Sequence, residues 1–301
     1  MGFRKADTPG SHAGYVLEDT DRGRALVVTG PWSSEAEQAL LRGDADVLVL
    51  NYARGFVGDL ERGELEFLSS RLRVRRLALL DRGIPDVRPL YRLSDTLEEL
   101  SIQAAPEAEL DLGQLPGVRK IAGDWGLIGP ALGGLDHLRE VSTWRFGEGD
   151  LTAFETHTGL ERLTVKDAPR LESLDGLANH EALTRLEIRG AKRLSDISVL
   201  AEPQAHLAEL TLEGCRAIDS LESLGGLLAL RYLDIGECGD LPSAAELQTL
   251  LALEVLSAWG STCFLDGDLS VLTRLPALRE IRMRNRRHYH PAVKDIPAAI
   301  F

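Results

Sequence analysis

Apolar residues in this chain recur at a fixed interval. Leu160, Leu163, Val165, Leu171, Leu174 and Leu177 form one set. Leu183, Leu186, Ile188, Leu194, Ile197 and Leu200 repeat it, and so do Leu207, Leu210, Leu212, Ile218, Leu221 and Leu224. Each set reads L-x-x-L-x-L, followed by three apolar residues three apart, and the step between sets is 23 or 24 residues. Self-similarity at such a period signals a solenoid, in which each repeat stacks on its neighbours. Two apolar positions two apart put both side chains on one face of a strand, with the residues between them on the other. A repeat buries about six apolar side chains, worth roughly 1.5–3 kcal/mol each. Ordering its backbone costs roughly 1–2 kcal/mol per residue. One copy alone is therefore unstable, and stacking makes the array fold as a unit.

The register extends in both directions. Strands are predicted at Ala25–Thr29, Val47–Asn51, Val74/Leu77/Leu79, Leu97/Leu100/Ile102, Val118/Ile121/Gly123 and Leu138/Val141/Thr143. After the three opening sets come Leu230/Leu233/Ile235, Leu253/Leu256/Ala258 and Leu278/Ile281/Met283, for about twelve strands. Ser33-Ser34 before Glu35–Leu41 predicts an N-capped short helix. Val47–Asn51 is apolar on both faces and predicts cover on both, as at a capped end. A longer step spans Gly58–Arg71, where a helix would turn Leu60, Leu65 and Leu68 inward. Residues 1–22 are expected to be an N-terminal extension or cap, with one short strand at Gly14–Leu17. The repeat domain is expected at 23–287 and a C-terminal cap or tail at 288–301. The segments after the strands are too short for long helices and predict loops, 3₁₀ turns and one-turn helices.

This pattern resembles the leucine-rich repeat family in its short, bacterial internalin-type or SDS22-like form; Arg193–Leu200 is similar to the convex segment of such repeats. The resemblance implies an α/β solenoid: a single horseshoe of about twelve coils, with a parallel sheet on the concave face and short helices, 3₁₀ turns and loops on the convex one. The family's asparagine at the ninth repeat position is replaced here by Ala105, Gly126, Ala168, Ala191, Cys215, Cys238 and Ser261. The resemblance also implies binding through the concave face. Its candidate residues are Trp144, Arg162, Lys166, Arg185, Arg189, Glu213, Tyr232, Asp234, Trp259, Arg282 and Arg284. Trp144 and Trp259 hold the seventh position of their repeats, and aromatic and Arg side chains dominate interface energetics. Arg162, Lys166, Arg185 and Arg189 form a basic patch beside the acidic Glu209, Glu213 and Asp234. Cross-strand ion pairs such as Arg189 with Glu213 are one reading of that alternation, and a partner of complementary charge is the other.

Charge and chemistry narrow the function. The 301 residues carry 34 basic and 47 acidic side chains, a net −13. That disfavours general nucleic-acid or anionic-membrane binding. No apolar run reaches the roughly 18–20 residues of a membrane span, and residues 1–7 have no apolar core of a signal peptide. Three cysteines do not read as a disulfide framework, so a cytoplasmic location is expected. G-x-S-x-G, P-loop and H-E-x-x-H motifs are absent from the sequence. His288-Tyr289-His290 offers two imidazoles with no further ligand at a suitable spacing, and reads as a capping segment. Neither cofactor nor metal is expected. The expected function is non-catalytic: a protein–protein interaction module, in a narrower family-based form an inhibitor or immunity protein. A repeat-scaffold enzyme and a structural subunit of a larger complex are the alternatives.

Overall fold

The computed structural model describes residues 14–21, 23–133, 135, 137–201 and 206–297. The rest of the predicted caps, residues 1–13, Arg22 and 298–301, lies outside the described residues. The chain forms two compact units, Met1–Leu138 and Arg139–Phe301.

In the first unit, β1 (Tyr15–Thr20) pairs antiparallel with β2 (Gly23–Val28). From β2 the strands run parallel: β3 (Val47–Asn51), β4 (Arg76–Leu80), β5 (Glu99–Gln103) and β6 (Lys120–Asp124). Between β2 and β3 lies α1 (Ser34–Arg42), the predicted helix. The Ser33 side chain accepts the Ala36 N–H at 3.2 Å, satisfying one of the free donors at its start. Two expectations change. The strand buried on both faces is β2, where Ala25, Leu26, Val27 and Val28 are all buried, whereas Val47 and Val49 of β3 stay half-open. Gly58–Arg71 is not a helix. Gly58 and Gly63 sit at φ 81° and 111°, and the Asp59 carboxylate takes the N–H groups of Glu61 and Arg62. Left-handed backbone and an aspartate turn both interrupt a helical ladder, so Leu65 and Leu68 reach the core but Leu60 is exposed.

The second unit carries β7 (Glu140–Trp144), β8 (Arg162–Lys166), β9 (Arg185–Arg189), β10 (Glu209–Glu213) and β11 (Tyr232–Asp234). After β12 (Asp240–Leu241) come β13 (Val255–Ala258), β14 (Cys263–Phe264) and β15 (Glu280–Met283). β7 through β11, then β13 and β15, pair in parallel with matched register, so Leu163, Leu186, Leu210, Leu233, Leu256 and Ile281 stack in one buried row. β12 and β14 form a separate short ladder. Among the described residues, five parallel strands in the first unit and seven in the second are the twelve repeats read from the sequence.

The opposite side of eight of the coils is held by a second repeated device. A short polar side chain accepts the N–H two residues ahead, at the start of the turn that follows the strand. Asp150, Ser173, Asp196, Ser220, Ser243 and Asp268 do this in the second unit, at 2.8–3.2 Å. Asp86 and Asp111 do it in the first, at 3.0 Å. These bonds satisfy donors that the tight turn leaves open. At the ninth repeat position of one coil, and one residue later in the next, a thiol and a hydroxyl take up part of the backbone bonding. The Cys238 thiol donates to the Leu212 carbonyl at 2.8 Å. Thr262 accepts the Cys238 N–H at 3.0 Å and donates to the Ile235 carbonyl at 2.6 Å.

Candidate functional site

All the predicted site residues lie in the second unit, on the sheet face that points away from the apolar row. Strand pairing aligns them in lines. Glu140, Arg162, Arg185, Glu209, Tyr232, Val255 and Glu280 make the first line. Ser142, Thr164, Glu187, Thr211, Asp234, Ser257 and Arg282 make the second. Trp144, Lys166, Arg189 and Glu213 make the third.

The charges on these lines are interlocked rather than separated into two patches. Arg162 pairs with Glu140 at 3.1 Å and Arg185 with Glu209 at 2.6 Å. Glu187 sits between two cations, Lys166 at 3.3 Å and Arg189 at 2.6 Å, and Arg189 also pairs with Glu213. Arg282 pairs with Glu280. Burial alone would raise the Glu187 carboxyl, but the hydrogen bond from Arg189 and the charge of Lys166 outweigh it and hold the group below its ordinary value. The hydrogen bond to Glu209 raises Arg185. The cations remain 38–55% exposed, so each pair contributes only about 0–1 kcal/mol. Their larger effect is to cancel the local field.

The two tryptophans differ from their surroundings. Trp144, half-buried, closes β7 beside Lys166. Trp259 is 40% exposed, and its indole lies flat on Gly236 of the preceding coil. A Cβ at residue 236 would stand 2.2 Å from the indole Nε1. The bare glycine is thus what allows the ring its place. Beneath this end of the face the floor is closed: Asp234 is 5% exposed, and Thr211 and Ser257 are also buried. Asp234 accepts the Gly236 N–H at 2.9 Å and the Tyr232 hydroxyl at 3.4 Å. Burial, with the Asp234 charge, pushes the Tyr232 phenol up. Asp234 therefore organises the face from below, while Tyr232 and Trp259 meet solvent. Trp125 opens α2 (Trp125–Ile128) and is buried, so it belongs to the core.

Beyond β15 the chain is tied down at several points. Arg286 donates to the carbonyls of Ser261 and Thr262 at 2.9 Å. Asn285 accepts the Val293 N–H at 3.0 Å, His288 Nε2 meets the Phe264 carbonyl at 3.0 Å, and Tyr289 accepts the Phe264 N–H at 3.0 Å. His288, Tyr289 and Arg286 thus complete the last coil's backbone bonding. The periodicity had carried no sign of this for Arg286. Exposed Arg284 and Arg287 make no ion pair among the described residues.

Cys215, Cys238 and Cys263 are free and buried. Burial pushes the Cys215 thiol up to about 12 and that of Cys238 up to about 11. Among the described residues no three His, Cys, Asp or Glu side chains gather as a metal site would need, and no helix is long and apolar enough to cross a membrane. In the first unit, a shallow cleft of about 590 Å³ is lined by Arg75, Thr96, Glu98 and Arg119, with Arg75 and Glu98 paired at 2.9 Å. It contains none of the predicted site residues.

No family model matches the sequence, and no curated protein is significantly similar to it. Solved structures are. An internalin (inlF) of Listeria monocytogenes is 19% identical, over 84% of this chain and 76% of that one, with a TM-score of 0.53. A leucine-rich repeat protein of Leptospira interrogans is 16% identical, over 87% of this chain and 77% of that one, with a TM-score of 0.49. The apolar register, the parallel ladders and the likeness to the listerial internalin together give this chain the leucine-rich repeat fold.

Proposed function

We propose that the open sheet face of the Arg139–Phe301 unit binds a protein partner, with Trp144 and Trp259 as its apolar anchors. One observation carries this reading. Trp259 keeps 40% of its surface exposed on the sheet face, resting on a glycine. Large aromatics held in place at low conformational cost are the usual centres of interface energy. The neutralised charge network around them favours a contact specified by shape and pairing over one driven by long-range attraction. In its narrower form, resting on family analogy, the partner is an enzyme that the chain masks.

The test is affinity capture from native cell extract, comparing wild-type chain with Trp144→Ala/Trp259→Ala. A partner retained by the wild type and lost by the variant is the expected result. A partner held equally by both would move the site off this face.

A further inference from the structure

The cations of the face are not equivalent. Those on β8 and β9 are consumed within the network, each opposite Glu140, Glu187, Glu209 or Glu213. Three carboxylates near the last coil are engaged as well. Glu280 pairs with Arg282, and Asp234 accepts the Gly236 N–H. Glu237 accepts the Ser261 N–H at 3.2 Å and stands 3.9 Å from Arg216. Arg284 and Arg287, both exposed, make no ion pair among the described residues. Arg284 follows Met283 as Trp259 follows Ala258, and Met283 and Ala258 are in register, so Arg284 holds the corresponding position on the next coil. Arg287 lies between two fixed residues, Arg286 on the 261–262 carbonyls and His288 on that of Phe264. Two guanidinium groups with no ion pair among the described residues thus lie on an anchored segment of the coil that follows that of Trp259.

We infer that this end of the face takes an acidic peptide segment of the partner, its apolar side chain on Trp259 and its carboxylates on Arg284 and Arg287. This deepens the proposed function and rests on it. Guanidinium groups without an internal partner lose no existing pair when a carboxylate arrives, so the full charge-assisted bond is available. A nucleic acid fits less well, because two free cations offer few phosphate contacts against a molecular charge of −13.

The experiment is selection of a random dodecapeptide display library on the full chain, followed by affinity measurement with a synthetic copy of the leading peptide. The expected peptides carry more Asp and Glu than Lys and Arg, together with an aromatic or aliphatic residue. Their affinity should fall about tenfold or more on Arg284→Ser/Arg287→Ser, and should weaken as salt is raised. Both arginines are exposed and make no ion pair among the described residues, and an unchanged melting curve would confirm that the variant folds. Basic or neutral peptides that are lost on Trp259→Ala would leave the face reading intact and overturn the acidic-segment inference. Peptides indifferent to both Trp259→Ala and the arginine variant would overturn both, as would a selection with no enrichment. A single-stranded oligonucleotide bound more tightly than the acidic peptide through the same arginines would also overturn the inference.

Discussion

At the scale of residues, the chemistry of this chain is decided by what lies under and beside a side chain. Trp259 holds its position because residue 236 has no Cβ. Gly236→Val should therefore displace the indole and shift its fluorescence, with a smaller effect on the melting temperature; an unchanged emission spectrum in a Trp144→Phe background would contradict the packing. His180 is a second case. It is fully buried, with Nε2 facing the Phe154 carbonyl at 3.1 Å. Burial, reinforced by the charge of His157, pushes its pKa down. Above about pH 6.5 the ring is neutral in both folded and unfolded chains. As pH falls below that value the unfolded chain takes up a proton that the folded chain refuses, so stability declines until the folded pKa is reached. Denaturant titrations of wild type and His180→Leu should show that the variant lacks this part of the pH dependence.

The elements show which features the sequence exposes and which it hides. Every parallel strand of the long sheet was legible, because leucines two apart in a repeating frame have only one buried face; the short ladder of β12 and β14 was not. The Asp and Ser turn caps were not, although they recur: a single Asp196 or Ser243 in a polar stretch looks like any surface residue until its N–H partner is seen. Gly58–Arg71 was misread because Leu60, Leu65 and Leu68 have helical spacing, while Gly58, Asp59 and Gly63 decide the backbone. Ser243→Ala should cost about 1 kcal/mol by removing one cap, measurable in urea titration as a lower midpoint with an unchanged slope. The carboxylate caps add a pH effect. Asp86 is held down to about 2, first by its hydrogen bond with Arg88, and hydrogen bonds with Ser198 lower Asp196. Their contribution is complete above the ordinary carboxylate pKa, near 3.9, and is lost as pH falls through the depressed values. Acid unfolding should thus begin below about pH 4 and move upward on Asp86→Asn.

For the whole molecule, the apolar rows supply the cohesion and the polar lines supply the specificity. Leu210 lies in the middle of the second unit's buried row, in register with Leu186 and Leu233. Leu210→Ala should cost about 2–5 kcal/mol and raise hydrogen exchange in β9 and β11 together, because each coil is stabilised by its neighbours. The sheet and the positions of Trp144 and Trp259 could be read from the repeat frame. The Arg189–Glu213 pair was one of two readings the sequence offered, and the structure contains it; the lack of an ion pair at Arg284 had no sign in the sequence. Arg189 and Arg284 look alike in sequence, yet the first is held between Glu187 and Glu213 and the second is unpaired among the described residues. The open face of the second unit is the proposed binding surface. The most direct measurement is the dissociation constant of the captured partner for wild type, for Trp259→Ala, and for Leu228→Ser, an exposed apolar residue off that face. A loss of about tenfold or more for Trp259→Ala, with Leu228→Ser unchanged, is the predicted result. Equal affinity of Trp259→Ala and wild type, or a loss confined to Leu228→Ser, would contradict it.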